Sequence, residues 1–146
     1  MLIKDVMTKN PVCCRPSDTA DVVAKKMLDH DCGEIPVCDG TKLIGVITDR
    51  DITCRVIATD RAPRLSTARE IMTGNVCTVH DLDDVNVALD LMEQKLVRRL
   101  PVVNDRGVIV GILSQADLIA RTPTLKVARS MKIVSQRTRR HEAVVH

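Results

Sequence analysis

Apolar residues along the chain recur with two different periods, and the switches between them mark out elements. At Ala20, Val23, Ala24, Met27 and Leu28 they follow the i, i+3, i+4, i+7, i+8 spacing of an amphipathic helix. Val85, Ala88, Leu89, Met92 and Leu96 trace nearly the same face. Pro16-Ser17-Asp18 supplies start signals for the first of these helices. After each helix come two short apolar runs that read as strands: Ile35–Cys38 and Leu43–Ile47, then Leu100–Val103 and Val108–Leu113. Asp39-Gly40-Thr41 and Asn104-Asp105-Arg106-Gly107 are the turns between them. A helical turn (Lys4–Met7; Ala68–Met72) and an extended piece (Val12–Cys14; Val76–Val79) precede each helix. Closing helices start at Thr48 and Ser114.

The two sets are one unit written twice. At a shift of 65, DVMTKN (5–10) falls on EIMTGN (70–75), Asp18 on Asp83, Met27 on Met92, and Pro36-Val37 on Pro101-Val102. One further residue brings Gly45, Thr48 and Asp51 onto Gly111, Ser114 and Asp117. The repeats run 1–60 and 68–121, with 61–67 as linker and 122–146 as a C-terminal helix and tail. A unit of about 60 residues buries little surface alone. The expectation is therefore an α/β (α+β) fold: two β-α-β-β-α repeats packed sheet to sheet, with pseudo-two-fold symmetry and equivalent clefts between them. In the last segment Thr122-Pro123 reads as N-cap and first helical residue. Leu125, Ala128, Met131 and Val134 form a sparse apolar stripe, predicting a helix over 123–136 and a loose end after it.

Composition narrows the function. Apolar residues are 45% of the chain and none is Phe, Tyr or Trp, so the core is aliphatic. No aromatic ring is available to stack on a base, which counts against single-strand nucleic-acid binding. From Arg121 onward seven basic residues face one acid, Glu142, while the whole chain carries only +3, so the body is mildly acidic. Such a tail either lies solvated against its own body or meets an acidic partner. The six cysteines show no CxxC and no His at a ligand interval, so they read as small hydrophobes in a reducing cytoplasm, with no metal expected. MLIKDVMTKN carries no signal-peptide core, and no apolar stretch approaches a membrane span.

The chemistry sits in the repeated phrase. Thr48-x-x-Asp51 and Ser114-x-x-Asp117 each stand where a strand becomes a helix. A hydroxyl at the N-cap and an acid three residues on form a capping box, which alone accounts for both and is the whole expectation for Thr67-x-x-Glu70. The same geometry also suits a ligand: free N–H groups and the dipole favour phosphate, and the carboxylate accepts from two ribose hydroxyls. Gly45 and Gly111 admit a close neighbour. No nucleophile–base pattern marks an enzyme, and Gly40-Thr41-Lys42 is no phosphate loop.

The ordered phrases DVMT, GEIPV, GVITDRDI and then EIMT, RRLPVV, GILSQADL resemble a tandem cystathionine-β-synthase (CBS) domain pair, or Bateman module, over 1–121. The resemblance implies a regulatory module that senses an adenosine-containing ligand (AMP, ADP, ATP or S-adenosylmethionine) in clefts between repeats. It requires no cofactor. Asp51 and Asp117 would hold ribose hydroxyls, with Thr48 and Ser114 near ribose or phosphate. Arg98 and Arg99 before Leu100-Pro101, and Arg50 beside Asp51, would contact phosphate. Gly33-Glu34 and Ala116 stand at the matching places, so the two repeats are unequally equipped. The base would lie against Val12, Cys13, Ile35, Pro36, Val76, Cys77, Leu100 and Pro101. The resemblance further implies a homodimer, with Val22, Val87 and Leu91 as surplus apolar positions, and a protein partner acted on in trans. The alternatives are an interaction or scaffold protein without nucleotide, and nucleic-acid binding through the basic tail.

Overall fold

The computed structural model describes the backbone of residues 1–122 and 124–145 and the side chains of 1–122 and 124–136. Contacts divide the chain into two compact units, and each takes its opening helix from the other repeat. One unit holds Pro11–Val76 with Gly107–Ile109; the other holds Met1–Asn10, Cys77–Arg106 and the chain from Val110 onward.

In the Pro11–Val76 unit, α2 (Ala20–His30) is followed by strands β2 (Glu34–Asp39) and β3 (Lys42–Thr48), then α3 (Asp49–Ile52) and α4 (Ala68–Ile71). β2 and β3 pair antiparallel from Glu34↔Thr48 to Asp39↔Lys42. Cys14 bridges Val37 in parallel on one side, and Thr73 bridges Val46 antiparallel on the other. Cys14, Ala20, Val23, Met27, Ile35, Val37, Ile47, Val56, Ala68 and Ile71 form the core. Leu28, placed on the apolar stripe by periodicity, is 76% exposed. At about 100° per residue it lies well round from the Ala20–Val23–Met27 line. Helix α3 runs into a π-helical turn over Thr53–Ile57.

The other unit repeats this plan. Helices α1 (Ile3–Val6), α5 (Val85–Lys95) and α6 (Gln115–Arg121) surround strands β1 (Thr8–Lys9), β4 (Val79–His80), β5 (Arg99–Val103) and β6 (Ile109–Ser114). The sheet order is β1-β6-β5-β4, with Thr8 opposite Ile112 and Val79 parallel to Val102. Thr8 stands at the sequence match of Thr73, and Val79 at that of Cys14, so the two units arrange matching strands in the same order. The strand after the opening helix was not apparent in the hydrophobic pattern, because TK is polar and exposed. It is admitted by glycine: a Cβ on Gly111 would stand 2.9 Å from the Thr8 carbonyl oxygen, and one on Gly45 2.9 Å from that of Thr73. Asn10 and Asn75 follow with φ of 53° and 50°, a left-handed region that Asn tolerates.

The last helix, α7, spans Leu125–Val145. It is longer than expected and leaves no loose end within 137–145, since neither Gly nor Pro interrupts it. Pro123 lies outside the described residues. Thr122 closes α6 instead, its hydroxyl donating to the Leu118 carbonyl at 2.9 Å, and Thr124 Oγ1 accepts from the Val127 N–H at 3.3 Å. The buried stripe is Val127, Ser130 and Val134; Leu125 is 91% exposed and Ala128 is exposed too. Lys126 Nζ lies 3.0 Å from Asp90 Oδ1 on α5.

Candidate functional site

Both repeated phrases form complete capping boxes. The Asp51 N–H donates to Thr48 Oγ1 at 3.2 Å, and the Thr48 N–H donates to Asp51 Oδ2 at 2.9 Å. In the other unit the Asp117 N–H donates to Ser114 Oγ at 3.1 Å, and the Ser114 N–H to Asp117 Oδ2 at 2.8 Å. The Ser114 hydroxyl also donates to Asp117 Oδ2 at 2.7 Å. Each box leaves the Oδ1 oxygen for other partners. Thr67 and Glu70 do not form one: the Thr67 hydroxyl donates to Glu70 Oε1 at 3.0 Å, and Glu70 pairs with Arg61.

Two residues that the motifs did not flag take the second oxygens. Arg55 Nε lies 3.7 Å from Asp51 Oδ1, while its Nη1 donates to the Ile71 carbonyl at 2.9 Å. The i, i+4 spacing from Asp51 was the available signal. Thr8 Oγ1 donates to Asp117 Oδ1 at 3.3 Å. No local spacing announces that contact, because Thr8 comes from the other end of the unit.

The remaining candidates divide between the two units. Thr48, Arg50 and Asp51 share their unit with Val12, Cys13, Ile35, Pro36 and Val76; Ser114 and Asp117 share theirs with Cys77, Arg98, Arg99, Leu100 and Pro101. The segment before each proline meets the helix start: the Gly33 carbonyl accepts from Asp49 N–H, and the Arg98 carbonyl from Gln115 N–H, both at 3.0 Å. Arg50, Arg98 and Arg99 are exposed. Ile35 and Leu100 lie in the two cores, while Val12, Cys13, Val76 and Cys77 are half-buried. Gln115, beside Ser114, is buried with its Nε2 lacking a hydrogen-bond partner among the described residues.

Cys13 has its own electrostatics. A hydrogen bond from the Cys38 thiol, aided by the Lys26 ammonium, holds its thiol down to about 7 against the opposing effect of burial. The Cys38 thiol is raised, first by that same bond and then by burial. Burial and the nearby Asp18 carboxylate push Cys14 up to about 11. All six cysteines are free thiols. Among the described residues no three His, Cys, Asp or Glu side chains gather as a metal site. No described helix is long and apolar enough to cross a membrane.

The CBS domain family model matches residues 3–57 and 68–123. Hypoxic response protein 1 of Mycobacterium tuberculosis is 30% identical over 132 residues, covering 90% of this chain and 92% of that protein. The uncharacterized protein MK0525 of Methanopyrus kandleri is 34% identical over 84% of this chain, which spans 63% of that relative's length. Among solved structures, Hypoxic Response Protein I with two coordinated zinc ions superposes with a TM-score of 0.78 at 31% identity, covering 84% of this chain and 100% of that one. The CBS domain pair of MJ0100, in complex with 5′-methylthioadenosine and S-adenosyl-L-methionine, gives 0.74 at 30% identity, with 82% and 94% covered. CBSX2 in complex with AMP gives 0.71 at 25%, with 82% and 93% covered.

Proposed function

The chain belongs to the CBS-domain family, whose domains are regulatory and not catalytic, and on that premise we propose that it senses an adenosine-containing ligand and signals to a partner protein in trans. Asp51 and Asp117 hold the ribose hydroxyls, Thr48 and Ser114 lie beside ribose or phosphate, and Arg50, Arg98 and Arg99 supply the phosphate contacts. The half-buried Val12, Cys13, Val76 and Cys77, with the backbone at Ile35-Pro36 and Leu100-Pro101, border the base. The reading places the protein in the cytoplasm as a homodimer, where free thiols persist.

The observation that carries this reading is the carboxylate held by its own capping box in both units. The box fixes the side chain in advance, so a ligand that accepts this geometry meets a preorganised acceptor. The adenosine ligands of MJ0100 and CBSX2 support the ligand class.

A second reading is favoured by one fact: Asp51 Oδ1 faces Arg55 and Asp117 Oδ1 accepts from Thr8, so each carboxylate is satisfied without a ligand. On that reading the protein keeps the fold as an interaction module. Titration calorimetry with AMP, ADP, ATP and S-adenosylmethionine separates the two. Saturable heat with at least one of them is expected; none with any of the four leaves the interaction module.

A further inference from the structure

The Pro11–Val76 unit has a cavity of about 500 Å³ at the far end of its hairpin from Thr48 and Asp51. It is lined by Arg15, Ser17, Asp39, Gly40, Thr67 and Arg69, among others. The register fixes the separation. Glu34 pairs with Thr48 at one end of β2–β3, and Asp39 with Lys42 at the other. Five residue steps of about 3.3 Å put the two places roughly 17 Å apart. No residue assigned to the adenosine site lines this cavity.

Its chemistry is specific. Arg15 and Arg69 are both exposed, and neither guanidinium has a hydrogen-bond or ion-pair partner among the described residues. Their backbones are fixed, however: the Arg15 N–H donates to Asp18 Oδ2 at 2.8 Å, and the Arg69 N–H to the Pro16 carbonyl at 3.0 Å. Two arginines are thus brought to one concavity by the crossing of the loop before α2 with the start of α4. The matching place in the other unit is built differently. There the Lys4 N–H donates to the Asp81 carbonyl, Leu2 and Leu82 replace Thr67 and Ser17, and His80 already faces Asp105 at 3.6 Å. The fold alone therefore does not produce the arginine pair.

We propose that this cavity is a second binding site, for a small phosphate ester that carries hydroxyl groups. Guanidinium forks match phosphate oxygens, and two of them outweigh the single Asp39 carboxylate. Asp39 accepts from the ester's hydroxyls, and Ser17 offers a further donor. The Thr67 hydroxyl already donates to Glu70, so it faces the ligand as an acceptor. The volume lies in the range of small-molecule sites.

The test is an amide NMR titration of the full chain at fixed ionic strength, with glycerol 3-phosphate, inorganic phosphate and glycerol as separate probes. Glycerol 3-phosphate is expected to shift the Ser17, Gly40 and Thr67 amides saturably, more tightly than inorganic phosphate, with glycerol silent. Arg15→Ala and Arg69→Ala are each expected to weaken it by about tenfold or more. No saturable shift at these amides, or equal shifts in the doubly substituted chain, overturns the proposal. So does equal affinity for inorganic phosphate, or displacement of glycerol 3-phosphate from these amides by adenosine, which carries no phosphate.

Discussion

Arg55 stands one helical turn beyond Asp51, with Nε 3.7 Å from Oδ1, and its Nη1 closes the end of α4 by donating to the Ile71 carbonyl. One side chain thus ties a candidate ligand carboxylate to the framework. Arg121, the sequence match of Arg55, keeps only the second task and donates to the Asp5 carbonyl at 3.4 Å. Arg55→Ala is expected to destabilise the protein by about 1.5–3 kcal/mol, the range for a charge-assisted hydrogen bond. Because Oδ1 is then free for a ribose hydroxyl, adenosine-ligand affinity is not expected to fall. Urea unfolding and calorimetry on the same variant check the two halves, and a large loss of affinity would make Arg55 a ligand contact.

Asp51→Asn and Asp117→Asn discriminate cap from ligand site. Asparagine keeps an oxygen to accept the N-cap N–H, so stability is expected to change by less than about 1 kcal/mol. Affinity at an occupied site is expected to fall by about 1.5–3 kcal/mol, since charge-assisted hydrogen bonds become neutral ones or are lost. Unchanged calorimetric affinity in both single variants and the double variant removes these carboxylates from the site. Lost stability with unchanged affinity leaves them as caps alone.

Much of this architecture is legible in the sequence. The shift of 65, and of 66 past the hairpin turns, locates both long repeat helices, all four long strands and both capping boxes, because each depends on spacing within some thirty residues. What escaped depends on chain segments that meet from a distance. The opening helix of each repeat packs into the other unit, so the polar pair Thr8-Lys9 becomes a strand and Thr8 reaches Asp117 across 109 residues. The stripe of α7 was misplaced for a related reason: Ser130 is buried against expectation, and the helix face was set by its packing on α5 and α6, not by apolar content. The cavity between Arg15 and Arg69 likewise joins residues that no local pattern connects.

The two glycines test that long-range strand directly. Gly45→Ala and Gly111→Ala would each place a methyl 2.9 Å from a backbone carbonyl oxygen that cannot move without opening the sheet. Each is expected to cost about 1–3 kcal/mol, the usual cost of overpacking. Thermal unfolding checks it. Gly74→Ala is the control, because a Cβ there meets nothing within 4 Å.

Cys13 carries a pH signature. Its folded pKa of about 7 lies below the ordinary 9.0, so the thiolate is favoured by folding. That contribution is fully present above pH 9 and is lost as pH falls through 7. Cys14, raised to about 11, has the opposite sign: its thiol form stabilises below pH 9, and that contribution is lost as pH rises through 11. Iodoacetamide labelling followed by peptide mass analysis is therefore expected to show Cys13 alkylation rising around pH 7, with Cys14 inert there. Lys26→Ala is expected to move the Cys13 midpoint upward, because the ammonium helps to hold it down.

The last expectation concerns a second copy of the chain. Val22 on α2 and Val87 on α5 occupy matching places and are 40% and 49% exposed. Valine is a poor helix former at a solvent-facing site, so two of them on matching faces gain nothing locally. Burial against another chain would supply the missing gain. Leu91 differs, since it is partly buried and packs against the core of its own unit. Multi-angle light scattering at micromolar concentration is expected to give about twice the 16.1 kDa of one chain. Val22→Lys together with Val87→Lys is expected to return it to one chain with an unchanged circular dichroism spectrum, since neither side chain belongs to a core. A wild-type chain that stays at 16.1 kDa at every concentration, with or without AMP, is a monomer, and the two valines then need another explanation.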